Sequence, residues 1–395
     1  MNLPLQKRLL AATVASTLSA TAWALDPMPV RVSEGLALTP TLKLGLGYDD
    51  NFRAVESGRD ASWISSIAPT LALGTDTGKV KLDLRYTANH ELYHSSRKDD
   101  NTDHLLGLTA DLQFDVRNRL RLAANYRKME ETASADQKVE NDKYNSAGFN
   151  AGYTYGADNA SGQIRLGLNH DRLRYDNGLD PISAKRLNAD KERDSTAVTG
   201  AFLYRVTAKT RALAEARLTD HDYVSNTALD SRNTALLFGA EWDATAFTSG
   251  SARFGRERKD FDRTGKRDTS TGMWEVGITW APLTYSSFSL NTRRGFDEGS
   301  DNADSIKTQS WTLSWKHDWS ERLSSNLSYT NSKQDYDRPS NPREDTLDSV
   351  GIGLTYKMRR WLDVGVGYKH TENDSTQAGK SYKRNVVGVT VNASL

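Results

Sequence analysis

The chain has no cysteine among its 395 residues. That removes disulfides, thiolate metal sites, cysteine nucleophiles and the lipidated cysteine of a bacterial lipoprotein. Charge of one sign is also missing. Lys and Arg number 52 against 51 Asp and Glu, so no basic surplus argues for nucleic acid. Hydrophobic residues make up 37%, and the mean hydropathy of −0.66 is too polar for a long chain built around one large core. Beyond the N-terminus there is no long apolar run, which excludes a helical membrane protein. A β-barrel stays open, because only every second strand residue meets lipid.

The one apolar run is an address. Lys7 and Arg8 precede a stretch of small and apolar residues from Leu9 to Ala24, ending Ala22-Trp23-Ala24. This is the pattern of a secretory signal peptide cleaved after Ala24. A membrane anchor fits less well, since a spanning helix needs about 20 predominantly apolar residues. The expected organisation is a signal peptide at 1–24, a short periplasmic segment at 25–40 and one transmembrane β-barrel at 41–395.

What is present in abundance is a period of two. Leu42, Leu44, Leu46 and Tyr48 alternate with Lys43, Gly45 and Gly47. Val80, Leu82, Leu84 and Tyr86 alternate with Lys81, Asp83 and Arg85, and Leu362, Val364, Val366 and Tyr368 with Asp363, Gly365 and Gly367. Each such segment reads as a strand with one apolar face. Eighteen can be placed, centred from residue 45 to residue 389. Connectors alternate between short turns, such as Thr75–Gly78 and Asp318–Glu321, and long polar loops: Glu130–Asp142, Asp176–Arg193, Lys259–Ser270 and Asn331–Asp345. The fold class expected is all-β: a single antiparallel outer-membrane barrel of about 18 strands, with short periplasmic turns and longer extracellular loops.

Aromatic placement agrees. Phe114, Tyr155, Tyr204, Trp242, Trp280, Trp315 and Tyr356 end strands that run into short turns, with Trp319 just beyond. Tyr48, Tyr86, Tyr126, Tyr329 and Tyr368 stand at the opposite strand ends. Two sets of amphipathic rings at two levels read as two interfacial girdles. Three strands look irregular. Pro69 removes a ladder donor and predicts a bulge or bend. The seventh segment loses its alternation after His170, leaving Tyr175 with the wrong parity. The eleventh carries Arg256 and Arg258 on its nominal outer face, which places them above the lipid. The last residues, Val391-Asn392-Ala393-Ser394-Leu395, keep the apolar parity but end in leucine where many outer-membrane barrels end in an aromatic residue.

Several short motifs carry a family resemblance: Gly47-Tyr48-Asp49-Asp50-Asn51-Phe52-Arg53, Ala68-Pro69-Thr70-Leu71, Leu84-Arg85-Tyr86 and Asp103-His104. Over residues 45–110 the chain resembles the EpsL-like outer-membrane proteins of exopolysaccharide loci, in the putative beta-barrel porin 2 group. The resemblance implies an outer-membrane component for polysaccharide secretion, not an enzyme. With it go a polysaccharide cargo and a periplasmic export or synthesis partner, while the barrel itself calls for outer-membrane lipid and the barrel-assembly machinery as partners.

No catalytic constellation stands out, and no cofactor, metal site or nucleic-acid partner is expected. His90 and His94 are four apart, a span of about 13 Å in a strand, too far to share one metal without a bend. The lumen is the informative surface. Positions of polar parity hold Lys43, Lys81, Arg85, Arg121, Arg165, Arg217, Arg253 and Arg293 on strands of one direction. They hold Asp111, Glu241, Asp243, Glu275 and Asp318 on strands of the other. Two readings follow. One is a cross-strand salt-bridge ladder that fixes register. The other is a wet channel whose surplus arginines hold carboxylate or sulfate groups on a passing polymer, which makes the cargo anionic. A passive exopolysaccharide conduit, a diffusion porin for small polar solutes, a closed structural barrel and an outer-membrane enzyme remain as functions, the conduit favoured by the resemblance. Only Leu25–Pro40 precedes the first strand, which leaves no room for a plug domain. The longest loop, Asp176–Arg193, could fold inward, but its charged end (Lys185, Arg186, Asp190, Lys191, Glu192, Arg193) suits the surface.

Overall fold

The computed structural model describes residues 29–33, 35–132, 140–180, 184–243, 247–299, 302–338 and 341–394. The expected signal peptide and Leu395 lie outside them. No helix among the described residues is long and apolar enough to cross a membrane. The chain is a run of antiparallel hairpins: β1 (Val30–Ser33), β2 (Leu36–Asp49), β3 (Ser62–Asp76), β4 (Val80–Tyr93), β5 (Asn101–Gln113), β6 (Asn118–Glu131), β7 (Asp142–Tyr155), β8 (Gly162–Tyr175), β9 (Arg193–Thr207) and β10 (Thr210–Tyr223). It continues with β11 (Ser231–Asp243), β12 (Thr248–Phe261), β13 (Thr269–Leu283), β14 (Ser286–Glu298), β15 (Ser305–Asp318), β16 (Leu323–Asp337), β17 (Arg343–Arg359), β18 (Leu362–Ser375) and β19 (Tyr382–Ser394).

Strands β2 to β19 pair in sequence order, and β19 returns to β2 from Ser394↔Thr41 to Val386↔Asp49. The result is a closed barrel of eighteen antiparallel strands, so no edge is left for lipid to solvate. β2 begins at Leu36, inside the segment assigned to the approach. The short β1 doubles back on it, with Val30↔Leu38 and Arg31↔Ala37, along the edge that β19 occupies further up. A strand of 14 residues such as β4, at about 3.3 Å per residue and tilted about 40°, rises some 35 Å. That crosses the ~25 Å apolar band with length to spare.

That surplus corrects the loop boundaries. The connector expected at Asn331–Asp345 is mostly strand, because β16 runs to Asp337 and β17 starts at Arg343. Likewise β12 reaches Phe261 and β13 starts at Thr269. Above the lipid both faces of a strand are polar, so the period-two signal disappears while the hydrogen-bonded ladder continues.

The outer face is apolar and exposed, as in Leu44, Leu46, Leu106, Leu108, Phe238 and Val389. Aromatics close the band at both ends. Phe114, Tyr155, Tyr204, Trp280 and Tyr356 are exposed toward the short turns, and Tyr86, Tyr126, Tyr329 and Tyr368 toward the long loops. Each of those four tyrosine hydroxyls has a cross-strand polar partner: His104 Nδ1 (2.8 Å), Asn145 Oδ1 (3.1 Å), Asp348 Oδ1 (2.6 Å) and Asn385 Oδ1 (2.7 Å). A ring with an apolar body and a bonded hydroxyl marks the level where lipid ends.

Pro69 causes no bulge. Pairing of β3 with β4 lapses at residues 68–69 and resumes in the same register, Ile67↔His90 before and Thr70↔Thr87 after. Tyr175 faces inward, paired with Tyr144 and with ring centroids 5.8 Å apart. Arg256 and Arg258 lie outward near the long-loop end, bonded to Ser270 Oγ (2.8 Å) and Asp268 Oδ2 (3.1 Å).

Candidate functional site: the inner wall

Register puts all thirteen expected lumen residues on the inward face, opposite the apolar one. They do not act alike. Arg165, Glu241, Arg253, Glu275 and Arg217 join into one network. Arg165 Nη1 donates to Glu241 Oε2 (2.9 Å), and Arg253 Nη2 to Glu241 Oε1 (2.9 Å). Arg253 also stands 3.6 Å from Glu275, and Arg217 Nη1 donates to Glu275 (3.1 Å). Arg217 is further held by Glu215 (2.5 Å), an inward carboxylate of β10 not singled out from the sequence. Parity alone does not single it out, because cations dominate the inward face of strands running its way.

Three arginines and three glutamates thus neutralise one another. Arg293 pairs with Asp297 on its own strand (2.5 Å) and not with Glu275 directly opposite. Arg121 pairs with Asp111 (3.5 Å), Arg85 with Asp83 (3.8 Å) and Asp318 with Lys316 (3.7 Å). Lys43, Lys81 and Asp243 form no ion pair within 4 Å among the described residues.

The network reaches across two intervening strands, from β8 to β11 and from β10 to β13, where the sheet turns a corner. At Gly239 and Gly255 an added Cβ would run into the backbone carbonyls of Ala252 and Leu236. Only glycine lets β11 and β12 approach that way. Inside the corner lies a small apolar cluster of Ala235, Leu237 and Met273, inward yet buried.

The outer end of β14 helps to cover it. β13–β14 pairing stops at Trp274↔Arg294, whereas β14 and β15 stay paired to Glu298↔Ser305. The outer end of β14 therefore leaves β13 and leans inward. Phe296 N donates to Glu257 Oε2 of β12 (2.9 Å). Glu298 reaches β10 and β12: Lys259 Nζ donates to it (2.7 Å), as does Tyr223 Oη (2.8 Å), and His221 Nε2 lies 3.0 Å away. His221 Nδ1 in turn faces Ser195 Oγ at 2.9 Å. The outer end of β14 is thus the part that leans inward. In Asp176–Arg193 the charged residues Lys185, Arg186 and Asp190 are exposed, as expected, but not the whole charged end. Glu192 is buried, accepting from Tyr175 N (2.8 Å) and pairing with Arg186 (2.5 Å). Neither feature had a sequence signal, since both are long-range pairings of polar residues beyond the periodic band.

The opposite wall is uncharged over most of its area. Ser310, Thr312 and Ser314 of β15 face inward, as do Asn326, Ser328 and Thr330 of β16. Next to them four glycines pair in succession across β17, β18, β19 and β2: Gly353↔Gly367, Gly367↔Gly388 and Gly388↔Gly47. They leave a strip of the inner surface without side chains of its own, with Asn326 leaning over Gly353. Among the described residues, inward aromatics such as Tyr93, Tyr144, Tyr175, Tyr223, Phe261 and Tyr336 all sit at the long-loop end. No three or more His, Asp or Glu among the described residues are placed to hold a metal.

The residues of the resemblance build the first loop and lock the seam between first and last strands. Asp49 accepts from Arg384 Nε (2.8 Å), and Asp50 from Asn385 N (2.6 Å). The fully buried Asn51 donates to Val55 O (2.8 Å) and Lys383 O (2.9 Å). Phe52 packs on Tyr93, with ring centroids 5.3 Å apart.

A closed eighteen-strand antiparallel barrel with an apolar belt, two aromatic girdles and a polar inner wall is an outer-membrane, porin-like channel of a Gram-negative bacterium. A sequence-family model described as putative beta-barrel porin 2 matches residues 35–395, and the chain belongs to that family. No curated protein matches it. Similar solved structures include Pseudomonas aeruginosa OpdK, with 12% identity and a TM-score of 0.49, covering 91% of this chain and 99% of that one. Pseudomonas aeruginosa OccK2 (OpdF) has 13% identity and a TM-score of 0.49, with coverage of 92% and 98%. OpdO of the same organism has 14% identity and a TM-score of 0.47, with coverage of 92% and 98%.

Proposed function

We propose that the barrel is a passive outer-membrane conduit for exopolysaccharide on its way out of the cell. The observation that supports this most is the make-up of the inner wall. One side is a ladder of arginines and glutamates that neutralise one another. The other side offers serine and threonine hydroxyls, asparagine amides and glycine backbone. A glycan hydroxyl exchanges water for such groups at little net gain or cost, because each hydrogen bond made replaces one lost. With no aromatic platform along the middle of the wall among the described residues, none of them would hold a sugar face by stacking. The wall favours sliding over binding. Driving force would come from synthesis and from a periplasmic partner.

The same wall suits a second reading, diffusion of small polar solutes, which the porin-like character of the family favours. An in-frame deletion in the native host separates them. Polymer lost from the medium and retained or degraded in the periplasm supports export. Unchanged secretion together with reduced uptake of small solutes supports the diffusion porin and ends the export reading.

A further inference from the structure

We propose that Arg205 and Arg211, at the short-turn mouth of the lumen, form a recognition site for an oxyanion group: a carboxylate, sulfate or phosphate. The two residues are direct cross-strand partners on β9 and β10, on the inward face. Like charges placed directly opposite destabilise a sheet. Neither forms an ion pair within 4 Å among the described residues. Their guanidinium groups instead converge on one point, each donating through Nη2 to the backbone carbonyl of Asp158.

That carbonyl is there because the β7–β8 turn is folded under the barrel. Gly156 has a φ of +117°, which favours glycine and lets the chain swing inward. Gln163 Nε2 donates to Ala157 O (3.0 Å), and Arg119 Nη2 to Gly156 O (3.1 Å), fixing the turn. The carboxylate of Asp158 is taken by Arg119. That carboxylate and Glu241 attract Arg211 only through space, and the hydrogen bonds of the paired guanidiniums go to a neutral oxygen.

A guanidinium has five N–H donors in a planar fork suited to carboxylate and phosphate. One bond to a carbonyl leaves most of them for a ligand. An anion seated between Arg205 and Arg211 would relieve their repulsion and fill those donors. The arginines of the neutralised ladder are committed and cannot do this. The inference deepens the conduit reading by naming the chemical group recognised at its entrance, and it rests on that reading only for the identity of the cargo.

The test is thermal unfolding of the full chain in detergent, at constant ionic strength. Sodium sulfate replaces sodium chloride in one arm, and trigalacturonate is titrated in the other. A ligand that binds only the folded state raises the melting temperature with its concentration. The wild type should gain several degrees, and the R205S/R211S double variant should bind at least tenfold more weakly. R232S, an outward arginine, is the control and should behave as wild type. Removing two opposed charges should not impair folding, and the single variants R205S and R211S provide intermediates if it does. A response to both probes assigns the site to carboxylates carried on sugars as well as to free anions. A response to sulfate alone assigns it to small oxyanions. Equal shifts in wild type and double variant overturn the site. That result would leave the export reading standing, because secretion by the deletion strain is scored separately.

Discussion

Glu298 of β14 and His221 of β10 meet at 3.0 Å although three strands lie between them in the wall. The contact exists because the outer end of β14 has left β13 and leans inward. Glu298 is then the latch of that end, held also by Lys259 and Tyr223. Glu298→Ala leaves Lys259 buried without its carboxylate, a change that costs about 3–5 kcal/mol when one partner of a buried pair is removed. The expected outcome is a released end of β14, read as faster proteolysis at 299–304 and a larger single-channel conductance. Unchanged conductance with unchanged proteolysis would remove the latch.

The ladder around Arg217 is predicted to be structural. Its side chain sits between Glu215 and Glu275 and is only 11% exposed. Arg217→Met should lower barrel stability by about 2–4 kcal/mol, since two carboxylates lose their shared cation. Ion selectivity should change little. A urea titration of the folded, heat-modifiable species measures the first, and the reversal potential across a salt gradient the second.

The corner between β11 and β12 is a stricter constraint. Gly255→Ala places a Cβ against the carbonyl of Leu236. Because backbone and not a flexible side chain is in the way, the variant should accumulate unfolded. The same substitution at Gly107, where an added Cβ meets nothing within 4 Å, should be tolerated. The fraction of heat-modifiable barrel in outer membranes compares the two.

Asn51 should matter more than its place in a loop suggests. Its buried amide bonds to Val55 and, across the seam, to Lys383. Asn51→Ala leaves those carbonyls unpaired, at about 1–3 kcal/mol each. A lower melting temperature of the heat-modifiable barrel is the expected signature.

Acid should loosen one loop contact. Glu140 accepts from Asn177 Nδ2 (2.9 Å) and Gly178 N (2.6 Å), and the Asn177 bond above all holds its carboxyl below the ordinary range. A depressed carboxyl stabilises the fold above its unfolded value, about 4.3. The contribution fades as the pH falls from there through the lower folded value. Pepsin cleavage near Asn177 should therefore rise toward pH 3 in the wild type, and Glu140→Gln should flatten that dependence.

Where a residue meets lipid, the sequence is almost transparent. Each expected strand centre falls inside a strand of the barrel, because the bilayer makes alternation compulsory. Above the lipid the code lapses. Asn331–Asp345 reads as a loop and is ladder, and Glu298, Lys259 and His221 lie dozens of residues apart with nothing local to join them. The inner wall is legible in parity alone. Parity gives Arg165, Arg217 and Arg253 as inward, but not which carboxylates they reach, since that depends on the corner at Gly239 and Gly255. Arg205 and Arg211 are not among the inward cations singled out from the sequence, and it is the β9–β10 register that sets them opposite each other. Their convergence on Asp158 needs the turn at Gly156 to fold under.

The short strand β1 carries a consequence for how the barrel can be left. It occupies the edge of β2 below the end of β19, while Asp49 and Asn51 bolt the same junction above. The edge of β2 is thus hydrogen-bonded below the end of β19 as well as along it. A seam without an open strand edge favours a route along the barrel axis over one sideways into the bilayer.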